Sequence, residues 1–189
     1  MNNVDIQYTN LLRDILDNGY PKDTRSGRVR SVFSRTMRFN LQDGIPLLTT
    51  KKVFYRGIIE ELLWFISGST NIKPLVEKNV HIWDDDAYRY YKELVEKHNK
   101  IAQSNNVPKY SDEASYSTKV ILPKDAFLQK VLKGEIDNFL YSKDGYCRKY
   151  TFGDLGSMYG KNWRRFGTSG IDQIQGVIDL LKNDPNSRR

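Results

Sequence analysis

The sequence predicts a mixed α/β domain, on three observations. Apolar residues recur at three- and four-residue spacing over residues 4–18, 53–66 and 171–181, as on one face of a helix. Over residues 32–41 the spacing changes, and Met37, Phe39 and Leu41 alternate as in a strand. Gly19, Gly68 and Pro185 stand where helices would have to stop. At 189 residues the chain has room for one core-bearing domain.

The elements follow in order. Ile6, Leu11, Leu12 and Ile15 give residues 4–18 a helical stripe, capped by Gly19. "YPKDTRSGRVR" reads as a polar loop. Val32, Phe33, Met37, Phe39 and Leu41 read as strands, and "DGIPLLTTKK" as a turn and short loop. "VFYRGIIEELLWFI", residues 53–66, is the most apolar helix and is expected to be the main buried one. A short helix is expected near 72–78. Residues 85–150 are rich in Lys, Tyr, Asp and Ser, with helical stretches near 86–98 and 124–134 and no strong core signal. They read as an inserted, peripheral small subdomain. Regular structure resumes at "TFGDLGSMYGKNWRRFG", and residues 171–181 form the last helix through Ile171, Ile174, Val177, Ile178 and Leu181.

Composition narrows the function classes. Hydrophobic content of 39% against 28% charged residues fits a folded, water-facing chain rather than a disordered one. No apolar run is long enough to span a membrane. "MNNVDIQYTN" lacks a basic region followed by an apolar core, so no secretory signal is read. Cys147 is the single cysteine, which excludes an internal disulfide and fits a reducing, cytoplasmic setting. The net charge of +7 favours anionic partners. Two distant histidines, His81 and His98, and one cysteine make no zinc site, and no Gly-rich nucleotide motif is present.

Three stretches carry candidate chemistry. "DTRSGRVR" sets Arg25, Arg28 and Arg30 around a glycine, with Ser26 as a hydroxyl donor. Guanidinium forks beside exposed amides suit a phosphate monoester, although a solvated basic loop reads the same way. On a helical wheel Glu61 falls on the flank of the arc formed by Ile58, Ile59, Leu62, Leu63, Phe65 and Ile66. It is either a general acid or base or a rim carboxylate paired with Lys51 or Lys52. Trp83 in "VHIWDDD" and Tyr159, Trp163 and Phe166 in "YGKNWRRF" are either walls for a flat ring ligand or ordinary core aromatics.

In this order and spacing, "RSG", "MRFNL", "PLLTTKK", "IIEELLWFISGSTN", "VHIWD", "DLGSMYGKNWR" and "DQIQGVIDLLKNDPNSRR" resemble the N-terminal part of thymidylate synthases. The match covers residues 1–84 and 151–189, and residues 85–150 resemble the longer small domain of some members less specifically. The resemblance implies a curved sheet with packed helices, a homodimer, and methylation of dUMP by methylenetetrahydrofolate, with no metal. It places Arg25 on the nucleotide phosphate and Arg188 and Arg189 on the phosphate site of the neighbouring subunit. Glu61 and Tyr159 fall in the catalytic water network, and Lys51, Ile82 and Trp83 face the folate. The family's nucleophilic cysteine stands beyond the arginine pair in a Pro-Cys-His setting, so the resemblance implies a separate or missing C-terminal half. Cys147, in "KDGYCRKYT", lacks that setting. Ser157 replaces a common proline, and Asp86 stands where some members place a second folate-facing tryptophan.

Two other readings compete. A folate-dependent pyrimidine nucleotide hydroxymethylase would share the fold and deliver water instead of hydride. A basic nucleic-acid-binding module would explain the charge, but the basic residues are dispersed among acids with no aromatic-basic repeat.

Overall fold

The computed structural model describes residues 2–25, 27–104, 117–140 and 147–188. The chain forms two compact units, residues 1–55 and 56–189. Helices and strands are both present, so the fold is mixed α/β. Among the described residues the strands form two separate two-stranded ladders rather than the curved sheet that the resemblance implies.

The first unit opens with α1 (Asn3–Asn18), whose N-terminus is capped by the Asn2 side chain accepting from the Asp5 amide at 2.8 Å. Strands β1 (Tyr20–Thr24) and β2 (Gly27–Ser31) then pair antiparallel, with Asp23 opposite Arg28 and Lys22 opposite Val29. This hairpin occupies the stretch expected to be a polar loop. Its residues are exposed and polar on both faces, so the period-two signal that marks a half-buried strand is missing. Residues 32–41 depart from expectation in the opposite sense. They lie outside any ladder apart from a 3-10 turn, Leu41–Asp43, because alternation favours extended backbone but cannot supply a pairing strand. A side chain takes that role at one rung. Gln7 donates through Nε2 to the Arg38 carbonyl at 2.8 Å and accepts the Arg38 amide at 2.9 Å.

Asp5, only 1% exposed, is the sole residue of this unit to be fully buried among those described. Its carboxylate accepts the Thr49 amide at 2.8 Å and the Thr49 hydroxyl. The hydroxyl bond, then the amide bond, hold its pKa below the ordinary aspartate value.

The second unit begins essentially with α2 (Tyr55–Ile66) and continues through α3 (Lys73–Glu77) and α4 (Asp84–Ala102). After α5 (Lys124–Lys133) come the antiparallel strands β3 (Ile136–Leu140) and β4 (Cys147–Thr151), then α6 (Tyr159–Arg164) and α7 (Gln173–Asn183). The expectation that residues 53–66 supply the main buried helix is overturned. Ile58, Ile59, Leu62, Leu63 and Ile66 are each 41–52% exposed, while Gly57 and Trp64 are buried. The helix therefore packs on a narrow edge beside its apolar arc.

The core comes instead largely from the stretch that showed no core signal. Tyr91, Val95, Phe127, Val131, Phe139, Tyr150 and Phe152 are buried together with Ile72, Leu75 and Val80. Tyrosine and histidine disguise this core in the sequence. The Tyr91 ring lies tilted against those of Phe127 and Phe152 at centroid distances of 5.1 and 5.5 Å. His98 is fully buried between α4 and β3. The Leu140 amide can only donate, so at 3.0 Å it fixes His98 Nδ1 as acceptor and leaves Nε2–H to donate to the Ser117 carbonyl at 2.8 Å.

No described helix is long and apolar enough to cross a membrane. Cys147 opens β4, and the strand's ladder begins with the Leu140–Cys147 pair.

Two outcomes follow from this packing. Phe127→Ala, emptying a fully buried site, is expected to cost about 3–5 kcal/mol, measured by urea unfolding. Acidification tests the Asp5 tie. A lowered folded-state pKa contributes stability above the ordinary aspartate value, near pH ~4, and loses it as pH falls through the folded value. An acid titration of helicity therefore shows a loss below about pH 4 that is smaller in Asp5→Ala, with Asp14 and Asp85, also held below the ordinary aspartate value, supplying the remainder.

Candidate functional site

The strongest cluster of candidate residues lies in the second unit, where α2, the 79–84 turn and α6 converge. Glu61, half-buried on the inner edge of α2, accepts the Trp83 indole N–H at 2.7 Å. The donor to Glu61 among the described residues is thus an indole. Tyr159, first residue of α6 and 56% exposed, meets the Trp83 ring edge-on at 6.3 Å. The structure thus brings Glu61, Trp83 and Tyr159 together around an open polar-aromatic surface.

Phe65 organises this surface, a role the sequence did not reveal. Its ring lies 5.2–6.1 Å from those of Trp64, Trp83, Tyr159 and Trp163. The helical wheel had assigned Phe65 to the apolar arc, and only the arrangement of the facing elements shows that it is the hub. Gly160 lets α6 approach. A Cβ there would stand 2.8 Å from the Phe65 carbonyl oxygen and 3.2 Å from that of Ser69.

The turn before α4 holds Trp83 from behind. His81, considered in the sequence only as a metal ligand, has Nδ1 2.8 Å from Asp84 Oδ2 and Nε2 2.8 Å from Asn79 Oδ1. Asn79 adopts a left-handed φ of 55°, which turns the chain back toward α4. Asp84 is buried, and its Oδ1 accepts no hydrogen bond among the described residues. Ile82, between His81 and Trp83, is about half exposed. Beyond Trp83 a groove of about 300 Å³ continues along α4, lined by Tyr90, Leu155 and Met158 and by the charged Asp86, Arg89 and Glu93. Asp86 pairs there with Arg89.

The remaining candidates lie elsewhere. Arg25 occupies the turn of the β1–β2 hairpin, and Ser26 lies outside the described residues. Lys51 is exposed in the loop after Thr49, within the first unit. Arg188 is exposed beyond α7, and Arg189 lies outside the described residues. Among the described residues no three His, Cys, Asp or Glu side chains form a metal cluster.

Comparison with known proteins gives one family. A profile described as "Thymidylate synthase" matches residues 6–189. A thymidylate synthase of Leuconostoc mesenteroides is 39% identical over 191 residues, covering 97% of this chain and 56% of the relative. One from Listeria monocytogenes is 34% identical, with the same coverage of 97% and 56%. A bifunctional dihydrofolate reductase-thymidylate synthase of Zea mays is 38% identical over 97% of this chain and 28% of its own length. The chain thus spans about half the length of the single-function relatives it matches.

The close approach at Gly160 generates a direct test. Gly160→Ala pushes α6 off the end of α2, and is expected to cost about 1–3 kcal/mol by overpacking. Near-ultraviolet circular dichroism should lose the Tyr159–Phe65–Trp83 signal in the same variant.

Proposed function

Because the chain belongs to the thymidylate synthase family, we propose that it carries the nucleotide-phosphate, water-network and folate-facing part of an enzyme that methylates dUMP to dTMP. The observation that carries this reading is the 2.7 Å bond from Trp83 to Glu61, with Tyr159 edge-on to the same indole. A carboxylate with a role in proton transfer is held against the aromatic wall on which a folate ring would lie. Methylenetetrahydrofolate would supply both the one-carbon unit and the hydride.

The chain's own residues then have separable tasks. Glu61 and the Tyr159 phenol orient water and move protons at the pyrimidine. Trp83 and Ile82 wall the folate ring, and Lys51 meets its anionic tail. Arg25 grips the dUMP phosphate through its fork. Arg188 and Arg189 reach the phosphate bound by the second protomer of a symmetric homodimer, where one chain completes the site of the other. The thiol that attacks the ring would come from the segment by which the relatives are longer, not from Cys147. Residues 85–150 are read as an insertion in this domain, and the cytoplasm as its compartment, supported by the single cysteine.

The test is tritium release from dUMP labelled at ring carbon five, with methylenetetrahydrofolate present. The 189-residue chain alone should release none. Adding the C-terminal segment of a relative in trans should produce turnover, and Glu61→Gln should then lower kcat at least about 100-fold while dUMP affinity stays within about twofold. Turnover by the chain alone would return the nucleophile's role to Cys147. An undiminished kcat in Glu61→Gln would remove Glu61 from the proton path.

A further inference from the structure

We infer that Asp5 is a positioning residue: its buried carboxylate fixes the loop after Pro46 and thereby sets where Lys51 is presented. The inference rests on the reading of Lys51 as a folate contact and adds a residue 46 positions earlier in the chain to that task.

Asp5 stands in the first turn of α1, where a carboxylate also suits the helix dipole. The usual place for such a side chain is solvent, yet this one is fully buried. Every donor it uses comes from one short segment or from its own helix start. The Thr49 amide reaches Oδ1 at 2.8 Å, and the Thr49 hydroxyl reaches Oδ2. One carboxylate that takes both the amide and the hydroxyl of Thr49, one on each oxygen, leaves that residue's peptide plane and side chain little freedom to rotate. Lys51 stands two residues further on, so the point from which it extends is set by the bound Thr49. The carboxylate is held rigidly in turn. Its own amide donates to the Asn2 cap at 2.8 Å, and its carbonyl accepts the Thr9 hydroxyl at 2.7 Å.

The alternative is that Asp5 merely stabilises α1. A helix-stabilising carboxylate needs no partner at residue 49, and the Asn2 side chain already caps the helix. The geometry therefore assigns the buried charge to the loop. Thr49 and Lys51 then serve different ends of one device, the first gripping and the second displayed.

Site-resolved tryptic cleavage of the 189-residue chain separates these possibilities. Peptide bonds after Lys51 and Lys52 are cut only when the loop opens, while those after Arg28 and Arg30 report the hairpin of the same unit. In Asp5→Ala, cleavage after Lys51 and Lys52 is expected to rise at least about tenfold, with cleavage after Arg28 and Arg30 within about twofold of the parent. Unchanged cleavage after Lys51 and Lys52 overturns the inference. Should all four sites accelerate together, Thr49→Val decides, since it removes one hydroxyl and leaves the carboxylate and the Thr49 amide. A selective rise of about threefold or more after Lys51 and Lys52 supports the inference, and a uniform or absent rise overturns it. Titration with tetrahydrofolate, against dUMP as control, reports the reading beneath it. Both Asp5→Ala and Lys51→Ala should weaken tetrahydrofolate and spare dUMP. Selective loosening of the loop with tetrahydrofolate affinity unchanged in both variants would leave the pin standing and remove Lys51 from folate binding.

Discussion

The second unit depends on one asparagine. Asn71 closes the loop after α2, and its carbonyl accepts the Trp64 indole N–H at 2.8 Å. Its side chain works in two directions, donating to the Phe152 carbonyl at 3.0 Å and accepting the Lys73 amide at 2.9 Å. The flanking backbone repeats the connection, with Ile72 N–H on the Gly153 carbonyl and Leu155 N–H on the Thr70 carbonyl, each at 3.0 Å. Each neutral bond is worth about 1 kcal/mol net, but leaving a buried partner unpaired costs about 1–3 kcal/mol. The node thus holds the end of α2 against the turn from which the chain runs to α6. Gly153 is required there: its φ is +89°, and a Cβ would meet Val131 at 2.9 Å and Asn71 Oδ1 at 3.0 Å. The spacing between Glu61 on α2 and Tyr159 on α6 is inherited from this stitching, rather than from direct contact between the two side chains.

The two units solve the stability problem differently. The second has a continuous aromatic and aliphatic core, in which each large side chain touches several others. The first has a buried carboxylate and a set of polar ties: Gln7 to Arg38, Arg35 to Asp14 at 2.6 Å, and Arg30 to the Leu16 carbonyl. Only Arg35–Asp14 among these is an ion pair, and an exposed pair is weakened by solvent screening. The first unit, which carries Arg25 and Lys51, therefore relies on individual polar ties where the second relies on a shared core.

Helices were legible in the sequence because their signals are local. The 3.6-residue period identified α1, α2 and α7, and the two helical stretches of residues 85–150 correspond to α4 and α5. What each helix faces was not legible. Period alone reports that Ile58, Ile59, Leu62, Leu63 and Ile66 share an arc, but not whether anything lies against it. The β1–β2 hairpin was missed because charge on both faces erases alternation, and the core around Tyr91 and His98 was missed because residues with polar atoms supply it. At the site, Glu61, Trp83 and Tyr159 were singled out by motif and resemblance, whereas Phe65, Gly160 and the His81–Asp84 pair become visible only once α2, α6 and the 79–84 turn are in place. Packing partners are non-local facts.

The polar hairpin has a consequence for how the chain meets copies of itself. A two-stranded ribbon in open solvent offers unpaired amides and carbonyls along its outer edges, a template on which another strand could add. Here one strand carries Pro21, which lacks an N–H to offer, and the ribbon bears Lys22, Arg25, Arg28 and Arg30 within a few residues. An approaching identical ribbon would meet like charge at close range and an interrupted donor row. The basic residues of the hairpin therefore protect its open edges from fibre-like growth, so that an exposed arm need not become adhesive.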